Sequence, residues 1–372
     1  DGELTAGNDY HELVNLAEAQ MGGPVADLAG FCHKYIDTLS QSYNAGFAIA
    51  AVSMILSLII FKAFKKYYKT ADVTEVEKSK NEDLKDQVIK LSPSQIRSRL
   101  IALGLVFFVV MFFWMAFHQN GFTMTVFARD YTISKVSSFT FMFFDLKSFL
   151  PILIAIIGLI FALRKKSETR VRLIGLGVVL IAGTFALLTY NSYDESMTIY
   201  PQKFQHFNPI FIVFMTPLIV GFFSSLRKRG KEPSSPRKIG IGMIITAIGF
   251  VILIMASRGL SSPATLEGGV SDKLISPYWL ISTYFTLTIA ELFLSPIGIS
   301  FVSQVAPPKY KGLAQGGWLG ATALGNLMAG LIGKFWDIVE LWQFFLILVV
   351  MCSLSAIFIF SVLKLLEKAT KG

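Results

Sequence analysis

Nine runs of apolar residues recur along this 372-residue chain, at 45–64, 100–127, 149–163, 173–190, 207–226, 239–256, 278–305, 313–335 and 341–363. A helix crosses the hydrocarbon of a bilayer in about 20 such residues. Inside hydrocarbon every backbone polar group must be satisfied by the chain itself, so only helices and closed barrels span it. The sequence has no alternating ten-residue pattern of the kind a barrel strand needs. Composition agrees: 53% of residues are hydrophobic and 16% charged, too apolar for an ordinary soluble domain. The expected fold class is an all-α polytopic membrane protein.

Charge in the connecting segments fixes an orientation. With 45–64 running outside to inside, the segments on one side carry 26 of the 34 Lys and Arg, and the other side carries 8. By the positive-inside rule the basic side is cytoplasmic. The net charge of +9 is then a topology signal and gives no reason to expect a nucleic-acid partner. Nine spans put the two ends on opposite sides. Residues 1–44 are expected to be an external segment, with helical character around 11–16 and a break at Gly22, Gly23 and Pro24. Residues 65–99 read as a solvated cytoplasmic linker, because Lys, Glu and Asp mix there with no wide apolar face. The segment 230–236 reads as a short turn. Cys32 and Cys352 fall in different compartments on this topology, so no disulfide is expected. The chain opens at Asp1 with no initiator Met, and the expectation is the later part of a longer protein.

Among the charged residues, Glu291 alone lies deep inside an apolar run, near the middle of 278–305. An ionisable group at the bilayer centre costs roughly 2.5–3.5 kcal/mol on insertion scales. The default reading is a site on a proton, ion or substrate path; the competing one is a structural polar pair with a neighbouring helix. Ser295 is four residues on and shares its helix face. Pro296 removes a backbone donor and permits a kink. In the next run Ala321, Gly325, Ala329 and Gly333 form a four-residue stripe of small side chains, read as close helix packing. Trp318, early in that run, is either a pocket wall or an interface belt residue. No Cys/His metal spacing and no phosphate-binding loop is present, so no cofactor or metal is expected and transport would draw on a gradient.

Four stretches carry a resemblance. They are 112–121 (FFWMAFHQNG), 204–211 (FQHFNPIF) followed by Pro217, 276–307 with Glu291, Ser295, Pro296 and Gly298, and 316–326 with Trp318 and Asn326. Together they span about two thirds of the chain, from Leu100 to Phe335, and the last two at their mutual spacing are the specific ones. In these the chain resembles the proton-dependent oligopeptide transporters of the major facilitator superfamily. The resemblance implies the C-terminal six-helix bundle (100–127 and 201–366), one preceding helix (45–64, the family's sixth) and an inserted helical hairpin (148–190). Accessory helices of bacterial members usually precede the seventh helix, whereas this hairpin would follow it. The N-terminal bundle of the same protein, with its acidic and Arg motif, would be a missing partner.

The resemblance also implies roles. Glu291 matches a tenth-helix carboxylate that contacts the peptide amino end and takes part in proton coupling. Asn208 matches an eighth-helix Asn on the same end, and Ser295, Trp318 and Trp114 match substrate-binding pocket residues. His118 stands four residues after Trp114, where many members carry a carboxylate, and is a second candidate for the coupling proton because imidazole changes charge near neutral pH. The implied function is proton-coupled symport of di- and tripeptides across the inner membrane by alternating access, with a cytoplasmic C-terminus. The competing readings are a secondary transporter of another small solute such as an amino acid or nitrate, a non-transporting membrane sensor, and a membrane acyltransferase with His118 as base. The last lacks a paired nucleophile near His118.

Overall fold

In the computed structural model, residues 13–15, 17–18, 21–68, 91–164, 168–266 and 269–371 are described. They divide into two units, Asp1–Val88 and Ile89–Gly372. The first unit is dominated by one helix, α1 (Leu28–Ala63, 36 residues). It starts well before the apolar run at 45–64, because Asp27 caps it by accepting from Gly30 N at 2.8 Å. Hydropathy marks where a helix enters lipid, whereas its cap marks where the helix begins. Seventeen residues assigned by sequence to the external segment are therefore helical. Of the helical character expected at 11–16, residues 13–15 are helical; residues 11, 12 and 16, and the linker from 69 to 90, lie outside the described residues.

The second unit begins with α2 (Pro93–Phe117), closed by a capping box in which Gln95 N donates to Ser92 Oγ and Ser92 N to Gln95 Oε1. The tail of the expected linker is thus the first turns of this helix. The run 100–127 is not one helix. After Phe117 the chain tightens into a 3₁₀ turn, His118–Gly121, and restarts as α3 (Thr123–Tyr131). There follow α4 (Leu146–Leu163), α5 (Thr169–Asn191), α6 (Phe207–Lys228), α7 (Ser235–Ala256), α8 (Tyr278–Val305), α9 (Lys311–Gly333), α10 (Leu341–Ser361) and the short α11 (Leu363–Lys371). Eight spans among the described residues are long and apolar enough to cross a membrane. The ninth expected span, 313–335, is occupied by α9, which has the length but falls short in hydropathy because glycines and Asn326 dilute it.

The bundle is built by close approach. Helix α7 packs on α8 and α10, α9 on α2, and α6 on α8. The core between them holds Phe113, Phe250, Tyr284, Phe301, Phe344 and Phe345, each fully buried. The small-residue stripe does what its spacing suggests: a Cβ on Gly325 would sit 2.7 Å from Met111 O, so α9 and α2 touch backbone to backbone.

Helices α4 and α5 form a hairpin that packs chiefly on itself. Its crossing is set by two glycines. A Cβ on Gly175 would meet Gly158 O at 2.6 Å and Ala162 N at 2.9 Å. Its neck is closed by β1 (Lys135–Ser137) pairing antiparallel with β2 (Ser196–Thr198). There the Tyr193 hydroxyl donates to Asp145 Oδ2 at 2.8 Å, and burial pushes its pKa up to about 12, so it stays a donor at working pH. Gly175→Val should force the two backbones apart and cost about 1–3 kcal/mol, the usual penalty for overpacking. A fall in the thermal midpoint in detergent checks this, with Gly177→Val, at a position facing open space, as the neutral control.

The end of the bundle where α6 gives way to α7 is tied by ion pairs. Glu232 accepts from Arg227 Nε at 2.6 Å and from Lys238 Nζ at 2.6 Å. Glu367 accepts from Arg237 Nε at 2.7 Å and from Ser234 Oγ at 2.6 Å, fastening α11 to the start of α7. The hydrogen bonds from Arg227 and then Lys238 hold the Glu232 carboxyl at about 2, well below its ordinary 4.5. A lowered folded pKa stabilises the fold above the ordinary value and ceases to do so as pH falls through the lowered one. Wild-type thermal stability should therefore drop on acidification from about pH 5 toward 2, and Glu232→Gln should flatten that drop.

Candidate functional site

Helix α8 turns Leu287, Ala290 and Leu294 into the core, and this leaves Glu291 directed at α6. Asn208, in the first turn of α6, meets it there: its Nδ2 donates to Glu291 Oε2 at 2.9 Å and to Thr288 Oγ1 at 3.2 Å. Thr288 spends its own proton on the carbonyl of Tyr284, 2.8 Å away, so its lone pairs are free to accept. Glu291 is half-buried, and among the described residues it takes part in no ion pair. A carboxyl in such a place is stable as the neutral acid or beside a cation brought to it.

A hydrogen-bonded path leads from this pair to the break between α2 and α3. Tyr284, seven residues before Glu291, donates its hydroxyl proton to Asn120 O at 2.7 Å. In the same turn Gln119 Nε2 donates to Ala329 O on α9 at 3.1 Å, while Thr123 Oγ1 donates to Gln119 Oε1 at 2.7 Å. The 3₁₀ turn is thereby pinned to α8 and α9. His118 opens that turn, and its ring stacks on Trp114 with centroids 5.1 Å apart and planes at 22°. Trp114 Nε1 is buried with no hydrogen-bond partner in the structure, an unused donor of a kind that calls for an explanation.

The structure brings Asn208 to Glu291 and Trp114 to His118. Ser295 stands half-buried one turn beyond Glu291. Trp318 is almost wholly buried, at 3% exposure, with its ring filling the notch left by Gly298 on α8. It therefore acts first as packing between α9 and α8 and offers little surface in this conformation. Sequence reasoning missed Thr288, Tyr284 and Gln119. The first two share a face with Glu291 at helical spacing and were open to discovery; the partner of Gln119 is some two hundred residues away and gave no local sign.

Residues 183–341 match the model of the POT family. Among curated proteins the chain is 28% identical over 237 residues to the peptide transporter YePEPT of Yersinia enterocolitica, covering 64% of this chain and 34% of that protein. It is 28% identical over 340 residues to the uncharacterized transporter YclF of Bacillus subtilis, covering 84% and 59%. The family match covers under half of the chain. It is also 27% identical over 148 residues to dipeptide and tripeptide permease A of Escherichia coli, covering 40% and 27%. It thus spans less than two thirds of the length of each of these relatives. Among solved structures, a peptide transporter POT in complex with alafosfalin superposes with a TM-score of 0.51 at 17% identity, over 90% of this chain and 54% of that one. This likeness is one of fold, and it agrees with a multi-pass helical membrane protein.

Proposed function

We propose that this chain is the C-terminal part of a transporter that carries di- and tripeptides together with protons by alternating access. The observation that carries the proposal is the Glu291–Asn208 pair: a half-buried carboxylate, lacking an ion-pair partner among the described residues, with an amide beside it. A peptide arrives with an ammonium group. Glu291 supplies the anion for it, and the Asn208 carbonyl oxygen, which makes none of the hydrogen bonds described, supplies a second acceptor. A proton and the ammonium compete for the Glu291 carboxylate, so the proton that travels with the peptide passes to a second group when peptide binds, His118 on this chain or one on the N-terminal bundle. Ser295 adds a hydroxyl to the same face, and Trp114 gives an apolar wall whose buried, unpartnered N–H becomes open to a peptide carbonyl once the helices shift. Trp318 contributes surface once α8 and α9 shift. The groups for the peptide carboxylate belong to the N-terminal bundle of the whole protein, against which this bundle rocks. In this reading the basic side faces the cytoplasm, the C-terminus lies there, and the protein resides in the inner membrane. No bond is made or broken, so the protein is not an enzyme.

Asn208→Ala in the full-length protein should weaken binding of dipeptides with a free amino end by roughly fivefold to tenfold, the scale of one hydrogen bond. N-acetylated dipeptides should bind both proteins equally. Competition binding measures both. A loss of the same size for acetylated peptide would remove Asn208 from the amino-end site.

A further inference from the structure

A cavity of about 630 Å³ opens at the charged end of the bundle, between the tail of α6, the start of α7 and the tail of α8. Its rim carries Arg227, Glu232 and Lys238. One carboxylate serves two cations there, each 2.6 Å away, and a surplus of one positive charge remains. Lys238 is a fixed cation: its side chain is 9% exposed and its ammonium lies 4.1 Å from the centre of the Phe223 ring. Deeper in, the walls turn apolar, with Ile219, Val220, Leu292 and Ile297. From Arg227 back to Ile219 the helix descends about 12 Å, at 1.5 Å per residue.

A cationic rim above an apolar floor, at the level where spans end, fits a molecule with an anionic head and a hydrocarbon tail. A soluble anion would leave the floor uncovered, and a neutral amphiphile would leave the surplus charge unanswered. The cavity is separate from the peptide site. Ser300, on its wall, lies about half a turn around α8 from Glu291, at 100° per residue. The two sites use different faces of one helix, and an occupant of this one touches the helix that carries Glu291.

We propose that this cavity binds an anionic phospholipid, with its phosphate on Arg227 and Lys238 and an acyl chain laid between α6 and α8. The inference goes beyond peptide transport and does not rest on it. The test uses the full-length protein purified in detergent, titrated separately with dioctanoyl phosphatidylglycerol, dioctanoyl phosphatidylcholine and inorganic phosphate. Bound lipid is counted by native mass spectrometry, and the thermal midpoint is followed alongside. Phosphatidylglycerol should bind in preference to phosphatidylcholine and raise the midpoint, whereas inorganic phosphate should neither raise it nor displace the lipid. Arg227→Gln should lower the preference about fivefold, the share of one basic side chain near a membrane surface. Ser224→Trp, on the exposed wall, should fill the cavity and abolish binding of phosphatidylglycerol with no change of charge. Both positions are surface-exposed, and an unshifted midpoint without lipid verifies that each variant folds. Equal retention of the two lipids by the wild type would overturn the proposal. So would full displacement by inorganic phosphate, or an unchanged preference in the folded Ser224→Trp protein.

Discussion

Glu291→Gln in the full-length protein is expected to end proton-driven peptide uptake while the protein still inserts and folds. Gln keeps the shape of the side chain and can still accept from Asn208 Nδ2, now 2.9 Å from Glu291 Oε2. What it removes is the negative charge and the proton site together. A charge-assisted hydrogen bond contributes roughly 1.5–3 kcal/mol, so affinity for the ammonium end should fall tenfold to about a hundredfold. Uptake against a gradient should fall further, because no proton is exchanged at the position. Folding survives because the substitution removes the cost of holding a charge in an apolar span. Uptake by initial rates and yield by size-exclusion chromatography separate the two outcomes. Wild-type uptake in Glu291→Gln would reduce Glu291 to a structural partner of Asn208.

His118→Ala should abolish accumulation of peptide but leave peptide exchange, which needs no net proton movement. The ring sits at the hinge between α2 and α3, stacked on Trp114 and next to a turn pinned by Gln119 and Asn120. A change of charge there acts on a place where the helix is already broken, and the hydrogen bonds through Tyr284 and Thr288 link that place to Glu291. His118→Glu should restore accumulation with an altered pH dependence, because a carboxyl regains a titratable group with a different intrinsic value. Gradient-driven uptake by His118→Ala would place coupling on Glu291 or on the N-terminal bundle.

The spans were legible because hydrocarbon penalises every exposed peptide group, and the chain must announce each crossing with apolar residues. Even α9, diluted by glycine, was legible as the apolar run 313–335, and its stripe of Ala321, Gly325, Ala329 and Gly333 marked the packing face. Boundaries were less so. The start of α1 at Leu28 follows from the Asp27 cap, inside a polar stretch that hydropathy reads as loop. The break after Phe117 was hinted at by Asn120 and Gly121, but apolar residues on both sides concealed it. Glu291 stood out by its cost alone, whereas its partner Asn208 came only through the family resemblance, since an Asn at the start of a helix is commonplace. The burial of Trp318 against Gly298 is a match of shape between two helices, and neither sequence segment encodes it by itself.

The central claim is that peptide and proton move together through the site at Glu291. The most direct measurement is peptide-dependent proton uptake in proteoliposomes of the full-length protein, read by a trapped pH dye with the membrane potential clamped. A dialanine gradient directed inward should acidify the lumen in wild-type vesicles, with no acidification for N-acetylated dialanine or for Glu291→Gln. Dialanine entry without proton movement, or acidification that persists in Glu291→Gln, would contradict it.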